Sequence, residues 1–262
     1  MQLLIVSIVI LVIGILMTMT GRGGGNFYVL IMVLAGQAMH QAATSAQFIL
    51  LITSLAGMII FQKNKLVDWK LALLIDPPTD IMAFVGGYFS AYTSGIVLKL
   101  ILAGFLVLAG FLMLVKVHDK PLKKQKFGYW QRNFQGHEYV VNLWLTIPLT
   151  ALAGFVAGAV GISCGSFKVP LMILLCGVPM WVAIGTSSAM VAATAIMGFA
   201  GHAAQGHFEP DWAIPLAIVA VMGGVIGGKI AIKTNPHKLK NIFAYTTLLA
   251  ALIMVFNAFL SK

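Results

Sequence analysis

Charged side chains are scarce in this sequence. Asp, Glu, Lys and Arg make up only 9% of its 262 residues, and seven of them are acidic, whereas an ordinary soluble domain has about 25% charged residues. Cysteine is also rare. The chain has two, Cys164 and Cys176, and their spacing fits neither a redox motif nor a zinc site. The low charge excludes a soluble enzyme, a nucleic-acid-binding protein and a disordered chain.

Apolar residues are abundant instead. They make up 60% of the chain, and the mean hydropathy is +0.97. A bilayer-spanning helix takes about 20 apolar residues, so this supply covers roughly seven or eight spans. The composition predicts an all-α polytopic membrane protein that has the lipid bilayer as its main partner and no cofactor or nucleic-acid partner. The net charge of +10 then indicates topology, because Lys and Arg accumulate on cytoplasmic flanks.

The apolar residues fall into eight long runs and two short ones. The short runs, 27–36 and 167–178, are too short for an ordinary span and suit half-helices or re-entrant segments. The long runs cover 3–20, 39–61, 71–92, 98–115, 143–162, 179–205, 213–232 and 242–260.

The two halves of the chain match each other with few insertions. The matching positions are Gly21 with Gly161, Gly25 with Gly165, Thr44-Ser45 with Thr186-Ser187, Asp68-Trp69 with Asp211-Trp212, and Gly86-Gly87 with Gly227-Gly228. This internal duplication predicts an N-terminal transmembrane repeat over 1–116, a basic linker over 117–142 and a C-terminal transmembrane repeat over 143–262.

Equivalent loops of the two halves carry opposite charge bias. Three lysines surround Asp68, whereas the loop 206–212 carries Glu209 and Asp211 with no Lys or Arg. The positive-inside rule therefore assigns the two loops to opposite sides of the membrane. Each half then crosses an odd number of times, and counting the short run gives five crossings. The sequence thus predicts two inverted-topology repeats, each with four long helices plus one short half-helix after a Gly-rich break, a layout of many secondary transporters. The same count assigns the linker to the cytoplasm and both termini to the outside.

Glycine-rich sequence precedes each short run, at 21–26 and 161–166. Glycine lets the backbone leave the helix, and the positive end of the following half-helix then points at the break. Two such helix starts would form an anion site near the middle of the bilayer, although glycines also serve close helix packing. The candidate ligands at the breaks are Arg22, Gly24, Gly25, Asn26, Ser163, Cys164, Gly165 and Ser166.

The order of the motifs resembles that of a known family. The motifs are Gly21-Arg22-Gly23-Gly24-Gly25, Pro170-Leu171, Ala183-Ile184-Gly185-Thr186-Ser187, Asp211-Trp212 and Gly227-Gly228. Over the whole chain apart from the linker, this pattern resembles the sulfite exporter TauE/SafE family of membrane permeases. The resemblance implies export of small sulfur-containing anions such as sulfite or organosulfonates. The sequence departs from the pattern at the second break, which has Ser163-Cys164-Gly165 in place of three glycines.

Two cationic residues lie at or near the breaks. Arg22 is suited to a bidentate contact with an oxyanion, or it is a cytoplasmic flank residue. Lys168 is the second residue of the second short run, where a charge is costly and indicates function, unless its ammonium group extends to the interface. Both are candidate substrate ligands.

Hydroxyl groups and a histidine add further candidate ligands. Thr44 and Ser45 in the first half and Thr186 and Ser187 in the second are positioned to bind anion oxygens, although capping and interhelical hydrogen bonds are commoner roles. His40 lies just before Thr44, and a membrane-embedded histidine can relay protons or bind an anion.

Two carboxylates flank a double proline in the run 71–92. Asp76 and Asp80 are four residues apart, which would place them on one helix face, while Pro77-Pro78 kinks the helix between them. Buried carboxylates often mark proton or cation coupling, and the simpler alternative is neutralisation of Arg22 or Lys168. Coupling is the stronger interpretation for Asp80 and ion pairing for Asp76.

These observations predict a secondary transporter in the cytoplasmic membrane that moves a small oxyanion by alternating access. Coupling would be to protons or to the anion gradient, since no nucleotide-binding motif is present, and a homo-oligomer is possible. An anion channel and an importer of another sulfur or carboxylate anion stay open as alternatives. A membrane-embedded metal-dependent enzyme that uses Asp76, Asp80, His40 and Cys164 is a further one.

Overall fold

The computed structural model describes residues 2–114 and 127–260, and within these ranges the chain is mostly helical. This confirms the predicted helical membrane architecture. The first half contains α1 Gln2–Thr18, α2 Gly25–Leu34, α3 Met39–Lys63, α4 Trp69–Ile75, α5 Pro77–Phe89, a short 3₁₀ helix Ser90–Tyr92 and α6 Gly95–Leu114. The second half contains β1 Tyr129–Phe134, β2 His137–Asn142, α7 Leu143–Val160, α8 Gly165–Leu174, α9 Met180–Ala203, α10 Pro210–Lys233 and α11 Pro236–Leu260.

The helices follow the apolar runs closely. The two short runs form α2 and α8, each of ten residues. Among the described helices, four are long and apolar enough to cross a membrane, namely α3, α7, α9 and α10. The protein is thus a multi-pass membrane protein, while the count of ten crossings stays a prediction.

One predicted run, 71–92, is divided into two helices. The first, α4, ends at Ile75, and α5 begins at Pro77. A proline is well tolerated in the first turn of a helix, where its missing N–H group has no partner to lose, but it interrupts a helix interior. The matching helix α10 has no such pair and is continuous.

The long helices pack in matching pairs. Helix α1 of the first half packs on α10 of the second, and α7 of the second half packs on α5 of the first. The helices α3 and α9 contact each other, and α6 pairs with α11. Glycines allow the close contacts: a Cβ atom at Gly158 would lie 2.1 Å from the carbonyl oxygen of Ala83, and one at Gly227 would lie 2.4 Å from that of Ile15. Small residues at helix interfaces are typical of membrane proteins.

The end of the predicted linker forms a β-hairpin, which is a departure from the all-α prediction. Strands β1 and β2 pair antiparallel, with Phe134 opposite His137. Gln135 and Gly136 between them both have positive φ, at 52° and 79°, as a type I′ hairpin turn requires. The basic segment of the linker, 116–126, lies outside the described residues, and the domain boundaries stay a prediction.

The hairpin holds the loop between α3 and α4 through a buried carboxylate. Arg132 donates to both oxygens of Asp68, at 2.8 and 3.1 Å, and the hydroxyl of Tyr139 donates to the same carboxylate. Asp68 also caps α4 by accepting from the amides of Lys70 and Leu71. Burial alone would raise the pKa of Asp68, but the hydrogen bonds from Arg132 and Tyr139 outweigh it and hold the pKa below its ordinary value.

Candidate functional site

The two glycine-rich segments meet inside the protein. We call residues 21–26 the first break and residues 161–166 the second break; each includes the start of the short helix that follows it. Asn26, on the first turn of α2, accepts a hydrogen bond from the amide of Ser163 at 3.1 Å and donates to the hydroxyl of Ser166 on the first turn of α8. The starts of the two half-helices, which are 140 residues apart in sequence, therefore lie against each other.

Each break packs on the long central helix of the other half. Gly21 has a φ of 73° and Gly161 a φ of 78°, a backbone conformation that favours glycine. A Cβ atom at Gly21 would lie 2.5 Å from the carbonyl oxygen of Ile184 in α9, and one at Gly161 would lie 2.4 Å from the Cβ atom of Ala43 in α3. The hydroxyl of Ser187 donates to the carbonyl of Gly21 at 2.9 Å. The glycines are thus required by both backbone conformation and close packing.

The second break has partners for most of its amides. Besides the bond from Ser163 to Asn26, the amide of Gly165 donates to the Ser163 hydroxyl at 3.2 Å. The amides of Phe167 and Lys168 both donate to the carbonyl of Cys164 at 3.0 Å. These bonds leave little hydrogen-bonding capacity at this break for a ligand.

The first break differs in this respect. In the described part of the chain, the amide groups of the four residues 23–26 have no hydrogen-bond acceptor. Gly23 and Gly24 have φ values of 67° and 103°, and successive amides in such glycine-rich turns can form an anion-binding concavity. The start of α2 adds the positive end of its helix dipole. These four residues are buried, and an unpaired N–H group away from water is costly unless it lines a cavity or binds a ligand.

Buried side chains without partners lie beside the first break. The hydroxyl oxygen of Ser54 would be 2.2 Å from a Cβ atom at Gly23, and it has no hydrogen-bond partner in the described structure. The same holds for the hydroxyl groups of Thr18 and Ser45 and for the amide oxygen of Gln47, whose nitrogen donates to the carbonyl of Ile162 at 3.3 Å.

Arg22 is a buried residue of the first break. Only 1% of its surface is exposed. It donates to Thr20 at 3.0 Å, to Thr246 at 2.9 Å and to Thr247, and its guanidinium carbon lies 3.8 Å above the ring of Phe243. No carboxylate lies within 4 Å of it among the residues that the structure describes. Its positive charge is therefore balanced by hydroxyl dipoles and an aromatic face alone.

Lys168 lies in a different environment. It is fully buried, forms an ion pair with Asp76 and donates to the hydroxyl of Thr194 at 2.8 Å. Thr194 in turn donates to Asp80 at 2.8 Å. The structure therefore pairs this lysine with Asp76, as the ion-pairing interpretation expects, and Lys168 does not extend to the interface.

The other predicted ligands are divided between the breaks and other contacts. Thr44 donates to the carbonyl of His40 within α3, and Thr186 accepts from the amide of Asp68, so these hydroxyls bind protein atoms. His40 stacks on His207 with ring centroids 5.2 Å apart. Cys164 is a buried free thiol in the second break. Within residues 2–114 and 127–260, no group of three His, Cys, Asp or Glu side chains is arranged to hold a metal ion.

Sequence reasoning missed several polar side chains at the breaks. Ser54 and Gln47 on α3, Thr194 on α9, and Thr246 and Thr247 on α11 all contact a break or its charged neighbours. Their only signal is polarity within an apolar helix, and a single Ser or Thr there is commonly a packing residue.

Comparison with known proteins agrees with the membrane architecture. The family described as "Sulfite exporter TauE/SafE" matches residues 6–254. Two curated relatives come from Bacillus subtilis (strain 168). "Probable membrane transporter protein YunE" is 25% identical over 274 residues and covers 100% of both chains. "Probable membrane transporter protein YdhB" is 22% identical over 255 residues and covers 97% of this chain and 100% of its own.

No solved structure matches the chain significantly. The family match nevertheless extends over nearly the whole sequence, from α1 to α11. The protein therefore belongs to the sulfite exporter TauE/SafE family of membrane transporters.

Proposed function

We propose that the protein is a secondary transporter that exports a small sulfur-containing oxyanion, such as sulfite or an organosulfonate, across the cell membrane. The observation that carries the proposal is the first break, where, among the residues that the structure describes, four amides lack acceptors and Arg22 is buried without a carboxylate within 4 Å. An oxyanion would supply both the missing acceptors and the missing negative charge. The family to which the chain belongs supports a sulfur-containing anion and the outward direction.

The anion would lie against the first break. The amides of residues 23–26 would donate to its oxygens, as helix starts do in many anion sites, and the unpartnered hydroxyl of Ser54 would add one more donor. Arg22 would act through its charge, because its present bonds to Thr246 and Thr247 hold the guanidinium at the break. In this arrangement the second break contributes Asn26's partners, Ser163 and Ser166, and positions the site.

Alternating access is supported by the matching halves. The packing of α1 on α10 has its counterpart in α7 on α5, and α3 on α10 has its counterpart in α9 on α5. Two repeats of inverted topology, each crossing five times, would place the two breaks near the midplane and allow one half to rock against the other. In this topology the linker is cytoplasmic and both termini are outside.

The proposal can be tested in reconstituted vesicles loaded with radiolabelled sulfite or taurine. Losing a charge-assisted contact costs about 1.5–3 kcal/mol, so Arg22→Ala should reduce flux at subsaturating anion by about 10- to 100-fold. Arg22→Lys should lose less, since it keeps the charge but not the planar fork. Lys233→Ala, at an exposed position at the end of α10, is the matched control and should transport normally.

Two outcomes would refute this proposal. If folded Arg22→Ala protein transported sulfite and taurine as the parent does, the charge of Arg22 would have no part in anion binding. If the parent moved neither anion in counter-flow, the substrate class would be wrong. Saturation at low concentration together with counter-flow would distinguish a carrier from an anion channel.

A further inference from the structure

We propose that Asp80 binds the proton that drives transport, and that Thr194 transmits the protonation state of Asp80 to Lys168. The inference rests on the proposed transport function and assigns its coupling ion. It follows from three features of one buried cluster: its unbalanced charge, the hydrogen-bond choices of a single hydroxyl, and the position of Lys168 on α8.

The charges in the cluster do not balance when all its groups are ionised. Lys168 is fully buried, Asp76 is 5% exposed and Asp80 is partly buried, so two carboxylates face one ammonium group. Burying an unpaired charge is costly, whereas a paired one is tolerated. One added proton makes the cluster neutral, and the cluster is therefore suited to bind one proton.

Asp80 is the carboxylate that would take the proton. The ammonium group of Lys168 contacts Asp76 directly and thereby stabilises its ionised form. Asp80 contacts Lys168 only through the Thr194 hydroxyl. Asp80 is also the more exposed of the two carboxylates, which gives a proton access to it.

Few other titratable groups face this site. Cys164, in the second break, interacts electrostatically with Lys168 and both carboxylates. The helix α7, which packs on α5, has no ionisable residue, and α9 has only His202, which bonds to the carbonyl of Gly158 and to Ser90. The adjoining α4 carries Lys70 at an exposed position.

Thr194 has one proton and two acceptors for it. Its oxygen accepts from Lys168 at 2.8 Å, and its hydroxyl is within 2.8 Å of Asp80 and 2.9 Å of the carbonyl of Met190. When Asp80 is ionised, the hydroxyl donates to it. When a proton binds Asp80, the new carboxylic acid donates to the Thr194 oxygen, and the hydroxyl turns to Met190. The bond between Thr194 and Asp80 thereby reverses its direction, and Lys168 still donates to the Thr194 oxygen.

This reversal reaches the breaks through Lys168. With Asp80 protonated, the oxygen of Thr194 accepts from Asp80 as well as from Lys168, and Lys168 loses the electrostatic attraction of the Asp80 carboxylate. Lys168 lies on the first turn of α8, three residues after Gly165, and the end of the second break forms the start of this helix. The second break contacts the first through Asn26. Proton binding on α5 is thereby linked to the proposed anion site.

The test compares two kinds of transport in vesicles containing the full chain and radiolabelled sulfite. One is uphill accumulation driven by an imposed pH gradient, and the other is sulfite counter-flow without a gradient. Asp80→Asn cannot bind a proton, so the ratio of gradient-driven to counter-flow transport should fall at least tenfold. Asp211→Asn is the control and should keep the transport ratio of the parent, because Asp211 is exposed in the first turn of α10. Protonation of sulfite itself affects all variants equally, because they experience the same pH gradient, so it does not change the comparison of their transport ratios.

Thr194 variants separate a positioning role from a merely structural one. Thr194→Ser keeps the hydroxyl and should keep the pH profile of transport, whereas Thr194→Val should flatten it. An Asp80→Asn protein that still accumulates sulfite uphill would overturn the proton assignment, as would accumulation in the parent that follows a sodium gradient instead. A parent protein without sulfite counter-flow would instead refute the proposed function, so the two failures are distinguishable.

Discussion

The contact between the hairpin and Asp68 supports a quantitative prediction about stability. Arg132 forms two hydrogen bonds with Asp68, whose side chain is fully buried, while 21% of the Arg132 side chain is exposed. Tyr139 donates a third bond. Arg132→Ala would leave the buried carboxylate without its cation, and Asp68→Asn would remove the negative charge while Asn keeps the ability to cap α4.

The expected loss follows from the burial of the two partners. Breaking a fully buried ion pair costs about 3–5 kcal/mol, and hydrogen bonds to charged groups contribute about 1.5–3 kcal/mol. Because Arg132 is partly exposed, we expect Arg132→Ala to cost about 2–3 kcal/mol and Asp68→Asn about 2 kcal/mol. For a chain of this size, that corresponds to a decrease in Tm of roughly 4–12 °C.

Thermal unfolding in detergent would measure these shifts, with Asp211→Asn as the matched control. Asp211 occupies the position equivalent to Asp68 in the second half but is exposed, so its substitution should change stability by less than about 0.5 kcal/mol. In a double-mutant cycle, the two changes at Asp68 and Arg132 should be strongly non-additive. Equal shifts at Asp68 and Asp211, or additive effects at Asp68 and Arg132, would refute the reasoning.

The stabilisation should also depend on pH. The pKa of Asp68 in the folded protein is lower than its ordinary value of 3.8. A carboxylate with a lowered pKa contributes stability above its ordinary pKa and loses it as the pH falls through the folded pKa. The Tm difference between the parent and Asp68→Asn should therefore be constant near neutral pH and shrink below about pH 4. A difference that persisted unchanged under acid would contradict the assignment.

Two pairs of glycine substitutions, each with a control, test the helix packing and the first break by thermal unfolding. Gly158→Ala places a Cβ atom 2.1 Å from the backbone of α5 and should destabilise by about 1–3 kcal/mol, whereas Gly104→Ala, which meets nothing within 4 Å, should be neutral or stabilise by up to about 1 kcal/mol. Gly21→Ala combines a φ of 73° with a 2.5 Å contact to α9 and should cost more than Gly36→Ala, which has a φ of 92° but open space. Equal losses in either pair would show that the close contacts do not matter.

The positions of the helices were readable from local sequence. The two short runs became α2 and α8 because ten apolar residues between glycines and a turn cannot extend further, and Pro77 ended a helix as its missing N–H group requires. The hairpin was not predicted, because the many lysines of the linker favoured a charged surface segment. The alternation of buried and more exposed residues that places Tyr139 and Val141 inside the protein was therefore not recognised. Its turn residues Gln135 and Gly136 were the local signal that could have found it.

The candidate residues were recognisable as a set, but their roles were not. Arg22 and Lys168 are both cationic residues at or near a glycine-rich break, and the sequence predicts the same role, substrate binding, for both. In the structure Lys168 contacts Asp76, 92 residues away, and Arg22 contacts Thr247, 225 residues away. Such partners depend on which helices pack together, and no local pattern records them.

The sequence by itself determined that this is a helical membrane protein. It also determined where the helices and half-helices lie and which few polar residues interrupt them. These properties depend on the hydrophobicity and backbone preferences of residues that are neighbours in sequence. Only the tertiary structure decided which of those polar groups are satisfied. It paired Lys168 with Asp76 and left Arg22 beside four amides that have no acceptor in the described part of the chain. That difference arises from helix packing, since burial and long-range contact set the free energy of every charge inside the bilayer.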